Sequence, residues 1–486
     1  MLKQLKKEAF NNMKWTGFSS TYVSVFQLIN TVVLAFFLDP SEIGTMSAML
    51  LVIWFTQYIA DGGMSPAIIH YEKNDPRILN LLFYINIFIA LVLYIVSLIL
   101  AGPISEVFEE PRMIEYMPIA LISMFVTSSG NQFKVILMKL LRFDLIARQE
   151  IIGMTVNSIV SISLAWHGYG VWSMFIGHVS GVIVGNIILI SSALRFWRPG
   201  LQLTANGLMP YLRFGLFQLG ERFSLFMNTR LDQIIIGAVL GTYALGIYTI
   251  AHNLVISPTI RVNQIISSVM LPVFAKVQND LNVIRKGYLK LVKLVTLINT
   301  PVMLGIALTA PLFIPLLFNE KWLDSVYIIQ ILALYSLIRS TGSPAGSLQL
   351  ALGRADLGFK WNVALVFISA PVLYLGASLD GINGVSYALV LMHAALFVPY
   401  WVLMIKPLIG PPARDYFKTI SSAALPGFIM AIAVFSVLQF GNDLSEVLLL
   451  LVSVVTGIFT FCGFAFYSER GLINEIIEQL KNNKIK

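Results

Sequence analysis

Long apolar runs separated by short polar segments recur along the whole chain. Many of the runs hold about 20 residues, which is the length an α-helix needs to cross the hydrocarbon core of a bilayer. They do not alternate between apolar and polar positions, as strands of a membrane β-barrel do. The pattern therefore predicts an all-α integral membrane protein with many spans.

Fourteen transmembrane helices are predicted from these runs. The first seven lie at about 15–38, 43–65, 78–101, 114–137, 146–166, 170–194 and 209–239, and the others at about 243–274, 288–317, 322–350, 357–379, 382–405, 417–440 and 444–467. No loop between them is long enough for a soluble domain. Apolar residues on one helical face of segment 471–486 predict an amphipathic cytoplasmic tail, with a plain solvated tail as the alternative.

Composition agrees with this prediction and narrows the class of protein. Of the 486 residues, 57% are hydrophobic and 12% are charged, whereas soluble proteins have about 25% charged residues. The net charge of +8 is spread over short loops, which favours a membrane topology signal over nucleic-acid binding. Cys462 is the only cysteine, so an intrachain disulfide and a cysteine-based metal cluster are excluded.

The distribution of Lys and Arg predicts the orientation in the membrane. The loop residues of both types fall on one side, with only Arg112 and Lys321 on the other. Lys134 is predicted to lie in the loop after span four, on the side with most Lys and Arg. Because cytoplasmic loops carry the excess of Lys and Arg, both termini are predicted to be cytoplasmic.

An internal repeat relates the two halves of the chain. Segment 38–44 (LDPSEIG) resembles 240–246 (LGTYALG), 142–145 (RFDL) matches 354–357 (RADL), and 168–171 (GYGV) resembles 381–385 (GINGV). Equivalent points are six spans apart, so both copies should have the same orientation. The predicted domains are an N-terminal lobe at 1–200, a C-terminal lobe at 201–410, two appended helices within 411–470, and the tail at 471–486.

Three arginines inside apolar spans are the strongest candidates for a functional site. Arg222, Arg261 and Arg339 lie in spans seven, eight and ten, where a charge is costly and usually faces a wet cavity or a partner. Guanidinium binds phosphate through two parallel hydrogen bonds, so a shared anion-binding site is predicted. The alternative is a set of structural ion pairs, for example Arg222 with Glu221 or Asp232.

Other charged residues admit simpler explanations. Arg230 is expected to pair with Asp232, and Asp61 to cap a helix end. His252 is a candidate for proton coupling, although a structural hydrogen bond is the default for a histidine in a span. Glu106, Glu109 and Glu110 are expected to form a solvated acidic loop. The sequence has no P-loop, HExxH metal motif or other catalytic constellation, so neither a cofactor nor a bound metal is expected.

Several short motifs resemble one known superfamily of transporters. They are RFG at 213–215, LPVFAKVQ at 271–278, FNEKW at 318–322, RSTGSP at 339–344 and MIKP at 404–407. Together with the fourteen spans, they resemble the Wzx-type flippases of the colanic acid and teichuronic acid exporter group, in the multidrug/oligosaccharidyl-lipid/polysaccharide exporter superfamily. The resemblance covers nearly the whole chain and implies a V-shaped fold of two pseudo-symmetric six-helix lobes plus two C-terminal helices.

The resemblance also implies a function. Such a flippase moves undecaprenyl-diphosphate-linked oligosaccharide from the cytoplasmic to the outer leaflet of the bacterial inner membrane by alternating access. The implied partners are the lipid-linked substrate, membrane lipids, and the polysaccharide polymerase and export machinery. A monomer without a cofactor is expected, with coupling to an H⁺ or Na⁺ gradient left open.

Two alternatives remain from the residues themselves. A cation-coupled multidrug exporter of the same fold should have an acidic or aromatic site, which the surplus of arginine opposes. A membrane-embedded oligosaccharide polymerase or ligase should carry catalytic groups on a sizeable outer loop, and no such loop is evident in the sequence. A transporter rather than an enzyme is therefore predicted.

Overall fold

The computed structural model describes residues 2–71, 75–276, 280–410, 413–441, 443–468 and 470, and the predicted tail at 471–486 lies outside them. Side chains are described from Lys14 onward, except at 70, 261–262, 264–273, 275–276 and 355. Regular structure in this part of the chain is entirely helical, as predicted.

The helices of the first half are α1 (Leu2–Phe37), α2 (Pro40–Ala60), α3 (Met64–His70), α4 (Pro76–Ile99), α5 (Ala101–Val107), α6 (Met113–Lys139), α7 (Phe143–Trp166) and α8 (Val171–Ala193). They are followed by α9 (Met209–Lys276), α10 (Leu281–Phe318), α11 (Asp324–Gly342), α12 (Pro344–Ala351), α13 (Ala355–Tyr400), α14 (Lys406–Ile409), α15 (Ala413–Phe440) and α16 (Glu446–Ser468). A 3₁₀ turn at Glu320–Trp322 precedes α11, and a π-helical turn at Trp401–Ile405 precedes α14.

These helices account for the fourteen predicted spans. Ten described segments are long and apolar enough to cross a membrane. Two of them contain two spans each, because the backbone leaves helical geometry at Gly241 within α9 and at Asp380 and Gly381 within α13. The remaining two spans are α7, and α11 continued by α12. The all-α membrane fold is therefore confirmed.

The chain forms two compact units, Met1–Thr249 and Ile250–Lys486. In the first unit, α7 packs against α1 and α8, and α6 packs against α2, α4 and α8. In the second unit, α10 packs against α11 and α15, and α15 packs against α16. The predicted lobes at 1–200 and 201–410, and the appended helices within 411–470, stay predictions.

Polar side chains link α1 to α7 at three levels. The hydrogen bonds run from Ser19 Oγ to Glu150 Oε2 (3.2 Å), between the hydroxyls of Tyr22 and Thr155 (2.9 Å), and from Ser161 Oγ to Asn30 Oδ1 (3.1 Å). Residue numbers rise together along both helices, so α1 and α7 run parallel. Spans one and five should run in the same direction if every span crosses the bilayer once, and the parallel packing agrees with that topology.

The internal repeat is visible in the local backbone. Arg142 precedes α7 with φ −92° and ψ 56°, and its counterpart Arg354 precedes α13 with φ −105° and ψ 42°. Each arginine pairs with the aspartate two residues later, at 2.8 Å for Arg142–Asp144 and 3.1 Å for Arg354–Asp356. The two copies of the second predicted match, at 142–145 and 354–357, therefore have the same local structure.

The third predicted match has a different register. Gly170 has φ 53° and ψ −135°, and Gly381 has φ 54° and ψ −134°. Both glycines occupy the positive-φ region that residues with a Cβ rarely adopt, and each immediately precedes a new span. Gly170 therefore corresponds to Gly381 rather than to Gly384, because the turn conformation and not the neighbouring valine defines the repeat.

The two copies of the first repeat touch each other within the first unit. A Cβ on Gly44 would overlap the carbonyl oxygen of Thr242, and a Cβ on Gly246 would overlap the carbonyl oxygen of Pro40. The same Cβ positions would lie 3.0 Å from the Gly246 nitrogen and 3.1 Å from the Gly44 nitrogen. The contact is thus reciprocal, and glycine is required at both positions because backbone meets backbone.

Candidate functional site

The second span is interrupted inside the first unit. Helix α2 ends at Ala60, and α3 begins at Met64. Gly62 and Gly63 between them have φ values of 57° and 65°, which favour glycine. Non-helical backbone at membrane depth is tolerated where protein covers it or water reaches it, and transporter binding sites are often built at such breaks.

The seventh span approaches this break closely. A Cβ on Gly215 would lie 2.5 Å from the Gly62 carbonyl oxygen, and a Cβ on Gly63 would overlap the Gly215 carbonyl oxygen. The backbones of the break and of α9 are therefore in direct contact. Gly215 belongs to the RFG motif at 213–215, and this close approach explains why the last position of the motif is glycine.

Asp61 lies at the break, and its carboxylate accepts hydrogen bonds from three polar side chains. It is only 7% exposed. Its Oδ2 accepts a hydrogen bond from Arg222 Nη1 at 2.5 Å, and its Oδ1 accepts from Ser65 and Asn131. Asn131 Nδ2 also donates to Ser65 Oγ at 2.9 Å. The cluster joins spans two, four and seven around one buried carboxylate.

Arg222 forms an ion pair with a carboxylate other than the two named as examples in the ion-pair alternative. Arg222 pairs with Asp61, whereas Glu221 is exposed and accepts from Gln218 Nε2 at 3.3 Å. Neighbouring residues on a helix point to different faces, so Glu221 cannot follow Arg222 towards span two. Asp61 does end a helix, as expected, but its side chain binds Arg222 and other side chains instead of capping the backbone.

Arg230 and Asp232 also have different partners from those expected. The Arg230 guanidinium lies 4.2 Å from the Trp54 ring centroid and donates to Gln233 Oε1 at 3.0 Å. Asp232 accepts hydrogen bonds from the Tyr248 hydroxyl at 2.5 Å and from the Gln233 backbone at 2.9 Å. Residues two apart on a helix face away from each other, which explains why this predicted ion pair does not form.

The other two candidate arginines belong to the second unit. Arg339 donates to the Tyr335 hydroxyl at 3.0 Å, and the Tyr335 ring packs edge-on against His393 with centroids 4.8 Å apart. The side chain of Arg261 lies outside the described residues, although its backbone is part of α9. The shared site of Arg222, Arg261 and Arg339 therefore stays a prediction.

Two polar residues of α9, Thr259 and Asn263, form hydrogen bonds to other helices of the second unit. His252 is 5% exposed, so it is a buried member of the second unit. Thr259 accepts a hydrogen bond from Ser336 at 2.9 Å, and Asn263 accepts from Asn299 at 3.1 Å. These pairs tie α9 to α11 and α10 on either side of position 261. The role of His252 in proton coupling stays a prediction.

A second charged cluster in the first unit was missed by the sequence analysis. Lys134 lies within α6, and its Nζ is 3.2 Å from Glu150 Oε1 on α7. Glu150 also accepts the Ser19 bond described above. Lys134 had been counted as a loop residue because it is near the end of its apolar run. Its pairing with Glu150 shows that it belongs to the helical bundle.

The acidic loop before α6 is not fully solvated, contrary to expectation. Glu110 is 7% exposed and accepts two hydrogen bonds from Arg112, at 2.8 and 3.1 Å. These bonds hold the pKa of the Glu110 carboxyl below its usual value and raise that of Arg112. Thr45 in α2 also donates to Glu110 at 3.3 Å. Glu110 is therefore a structural anchor for the start of α2.

Comparison with known proteins gives relatives over most of the chain. The lipopolysaccharide biosynthesis protein WzxC of Escherichia coli is 27% identical over 412 residues, covering 85% of this chain and 84% of WzxC. The teichuronic acid biosynthesis protein TuaB of Bacillus subtilis is 26% identical over 446 residues, which is 90% of each chain.

A solved structure with the same fold is the lipid II flippase MurJ in an inward closed conformation. It superposes with a TM-score of 0.75 at 15% sequence identity, over 94% of this chain and 99% of that one. At this identity the likeness establishes the fold. A family model described as polysaccharide biosynthesis protein matches residues 33–327. With that match over more than half of its length, the chain belongs to the polysaccharide biosynthesis protein family.

Proposed function

We propose that this protein is a flippase that carries undecaprenyl-diphosphate-linked oligosaccharide from the cytoplasmic to the outer leaflet of the bacterial inner membrane. The observation that carries the proposal is the family membership, with relatives named for lipopolysaccharide and teichuronic acid biosynthesis matching nearly the whole chain. Those relatives serve different polysaccharides. A lipid-linked carrier as the substrate is supported by the likeness of the fold to that of a lipid II flippase.

The arginines supply the positively charged donors that would bind the diphosphate. Arg222 is 29% exposed beside the break in span two, so part of its guanidinium is accessible. Arg339 is a second membrane-embedded guanidinium, and Arg261 is the third candidate. A diphosphate has several acceptor oxygens and binds such groups through charge-assisted hydrogen bonds. We assign substrate binding to these three residues. Glu221, Arg230, Asp232 and His252 are the further candidates for a role in the cavity or in coupling to H⁺ or Na⁺.

Transport in this proposal occurs by alternating access between two lobes, 1–200 and 201–410. The reciprocal glycine contact of Gly44 and Gly246 joins the starts of spans two and eight, which belong to different lobes of the predicted repeat. The nearest atoms at both glycines are backbone atoms, so no side-chain lock at these two positions has to open when the surfaces separate. The contact is the proposed gate on the outer side.

A leaflet-specific assay tests the function. In a strain that lacks the gene, the lipid-linked oligosaccharide should accumulate in the cytoplasmic leaflet, and a plasmid copy should restore surface polysaccharide. Accumulation in the outer leaflet would instead indicate a polymerase or ligase. Loss of drug resistance without any change in the polysaccharide would favour the multidrug exporter.

The topology has its own test. Cys462 is the only cysteine, so Cys462→Ser gives a background for single labelling sites. Asn282→Cys, in an exposed position at the start of α10, should react with a membrane-impermeant maleimide only after the cells are opened. Glu106→Cys, exposed next to the Glu110 loop, is the matched control and should react in intact cells. The reverse pattern would overturn the proposed cytoplasmic position of both termini.

The remaining assignments follow from this function. The partners are the lipid-linked substrate and the surrounding lipids, with a polysaccharide polymerase and export machinery downstream. We propose a monomer as the transporting unit, because one chain carries both copies of the repeat.

A further inference from the structure

The Arg222 guanidinium is only partly used in the ion pair with Asp61. Within the described residues, Asp61 is its only hydrogen-bond partner, and the contact uses the single nitrogen Nη1. A guanidinium has five N–H donors. We propose that Asp61 is an internal counter-anion, which occupies Arg222 in the empty transporter and is displaced by a phosphate group of the substrate. This inference rests on the proposed function.

Three other arginine–carboxylate pairs among the described residues have a different geometry. They use Nε and Nη2 together, and they are Arg77–Asp75 (3.3 and 3.0 Å), Arg112–Glu110 (2.8 and 3.1 Å) and Arg142–Asp144 (2.9 and 2.8 Å). A further pair, Arg354–Asp356, uses Nε alone. Each joins residues two apart and stabilises a turn. The Asp61–Arg222 pair joins different spans through one nitrogen. A phosphate that engages two nitrogens therefore has an advantage over Asp61.

Asp61 is built to remain in place when Arg222 leaves. It is 7% exposed and lies at the end of α2, where its backbone N–H bonds to Gln57. Ser65 and Asn131 both donate to Oδ1, the oxygen that Arg222 does not use. A buried carboxylate without any partner would be strongly destabilising. The two remaining donors reduce that cost, so the exchange of Asp61 for phosphate becomes feasible.

The exchange also solves the problem of release. Arginines without a competing carboxylate would bind the diphosphate tightly. A transporter, however, has to release its substrate in the other leaflet. When Asp61 competes for Arg222, substrate binding is weakened by the free energy of the ion pair. Asp61 thereby sets the affinity at a level that permits release, and it keeps Arg222 neutralised when the site is empty.

A binding experiment tests the exchange. The probe is undecaprenyl diphosphate without a glycan, titrated against the full chain in lipid nanodiscs. Asp61→Asn keeps acceptor and donor groups at the break but removes the competing charge, so affinity should rise by about tenfold, the size expected for one charge-assisted hydrogen bond. Arg222→Ala should weaken binding by a similar factor. In the Arg222→Ala background, Asp61→Asn should have no further effect.

The matched control is Asp144→Asn, which removes a carboxylate that pairs with Arg142 and not with Arg222, and affinity should stay unchanged. Size-exclusion profiles of each variant report folding, so binding is compared per folded molecule. Suppose that Asp61→Asn leaves affinity unchanged or lowers it, while Arg222→Ala weakens binding. The proposed displacement of Asp61 by phosphate is then wrong, whereas the proposed binding of phosphate by Arg222 is supported. If Arg222→Ala binds the probe as the wild type does, the proposed anion site fails, and the exchange fails with it.

Discussion

Replacing Arg222 with alanine is expected to reduce export of the lipid-linked oligosaccharide by roughly one to two orders of magnitude, the effect of losing a hydrogen bond between charged groups. The amount of protein in the membrane should not fall in proportion. Arg222→Lys should keep partial activity, because lysine retains the charge but lacks the planar fork that engages two phosphate oxygens. Arg261→Ala should behave like Arg222→Ala. The measurement is the appearance of glycan in the outer leaflet, normalised to protein.

Loss of Arg222 also leaves Asp61 with an uncompensated charge, which is a structural defect of its own. The double variant Asp61→Asn with Arg222→Ala separates the two explanations. If the defect is structural, removing the second charge should restore export. If Arg222 binds the substrate, the double variant should stay inactive although it is well folded. Normal export by Arg222→Ala alone would require the anion site to be sought elsewhere.

A cross-link between the starts of spans two and eight is expected to abolish transport completely and reversibly. In the Cys462→Ser background, Pro40→Cys and Thr242→Cys place two thiols in the two segments that meet at the reciprocal glycine contact. A bridged pair holds the proposed outer gate shut, so substrate that enters from the cytoplasm cannot leave outward. Reduction of the bridge should restore export, which shows that the protein remained folded.

The control cross-link joins helices within one lobe. Asn30→Cys and Ser161→Cys replace two short side chains whose Oδ1 and Oγ atoms are 3.1 Å apart between α1 and α7, both inside the predicted lobe 1–200. This bridge should form and leave export intact. Full transport by the bridged Pro40 and Thr242 variant would contradict a gate at this contact. A defect in both cross-linked proteins would indicate general damage by the bridge.

The candidate site illustrates what can be predicted from local sequence. Arg222 could be singled out because a charge inside an apolar run is rare and costly. Its partner could not be found in the same way, since Asp61 is 161 positions away along the chain. The alternative hypothesis that Glu221 or Asp232 neutralises Arg222 rests on proximity in sequence. A helix turns by about 100° per residue, so the nearest residues in sequence face other directions.

Lys134 and Glu110 also show that local sequence does not identify the partners of a charged residue. Both were assigned to loops, because a polar residue near the end of an apolar run is usually solvated. The structure buries Glu110 against Arg112 and Thr45, and it pairs Lys134 with Glu150. Whether a charge near a helix end is solvated depends on the neighbouring elements, and a single span carries no information about them.

The number of spans, the internal repeat and the class of transporter could be predicted from the sequence alone. These features follow from the thickness of the bilayer, which fixes the length of each apolar run, and from motifs that are contiguous in the chain. Only the tertiary structure showed that Gly44 meets Gly246 and that Asp61 holds Arg222 at the break in span two. Such contacts depend on which helix faces come together, and packing between distant segments decides this rather than hydropathy.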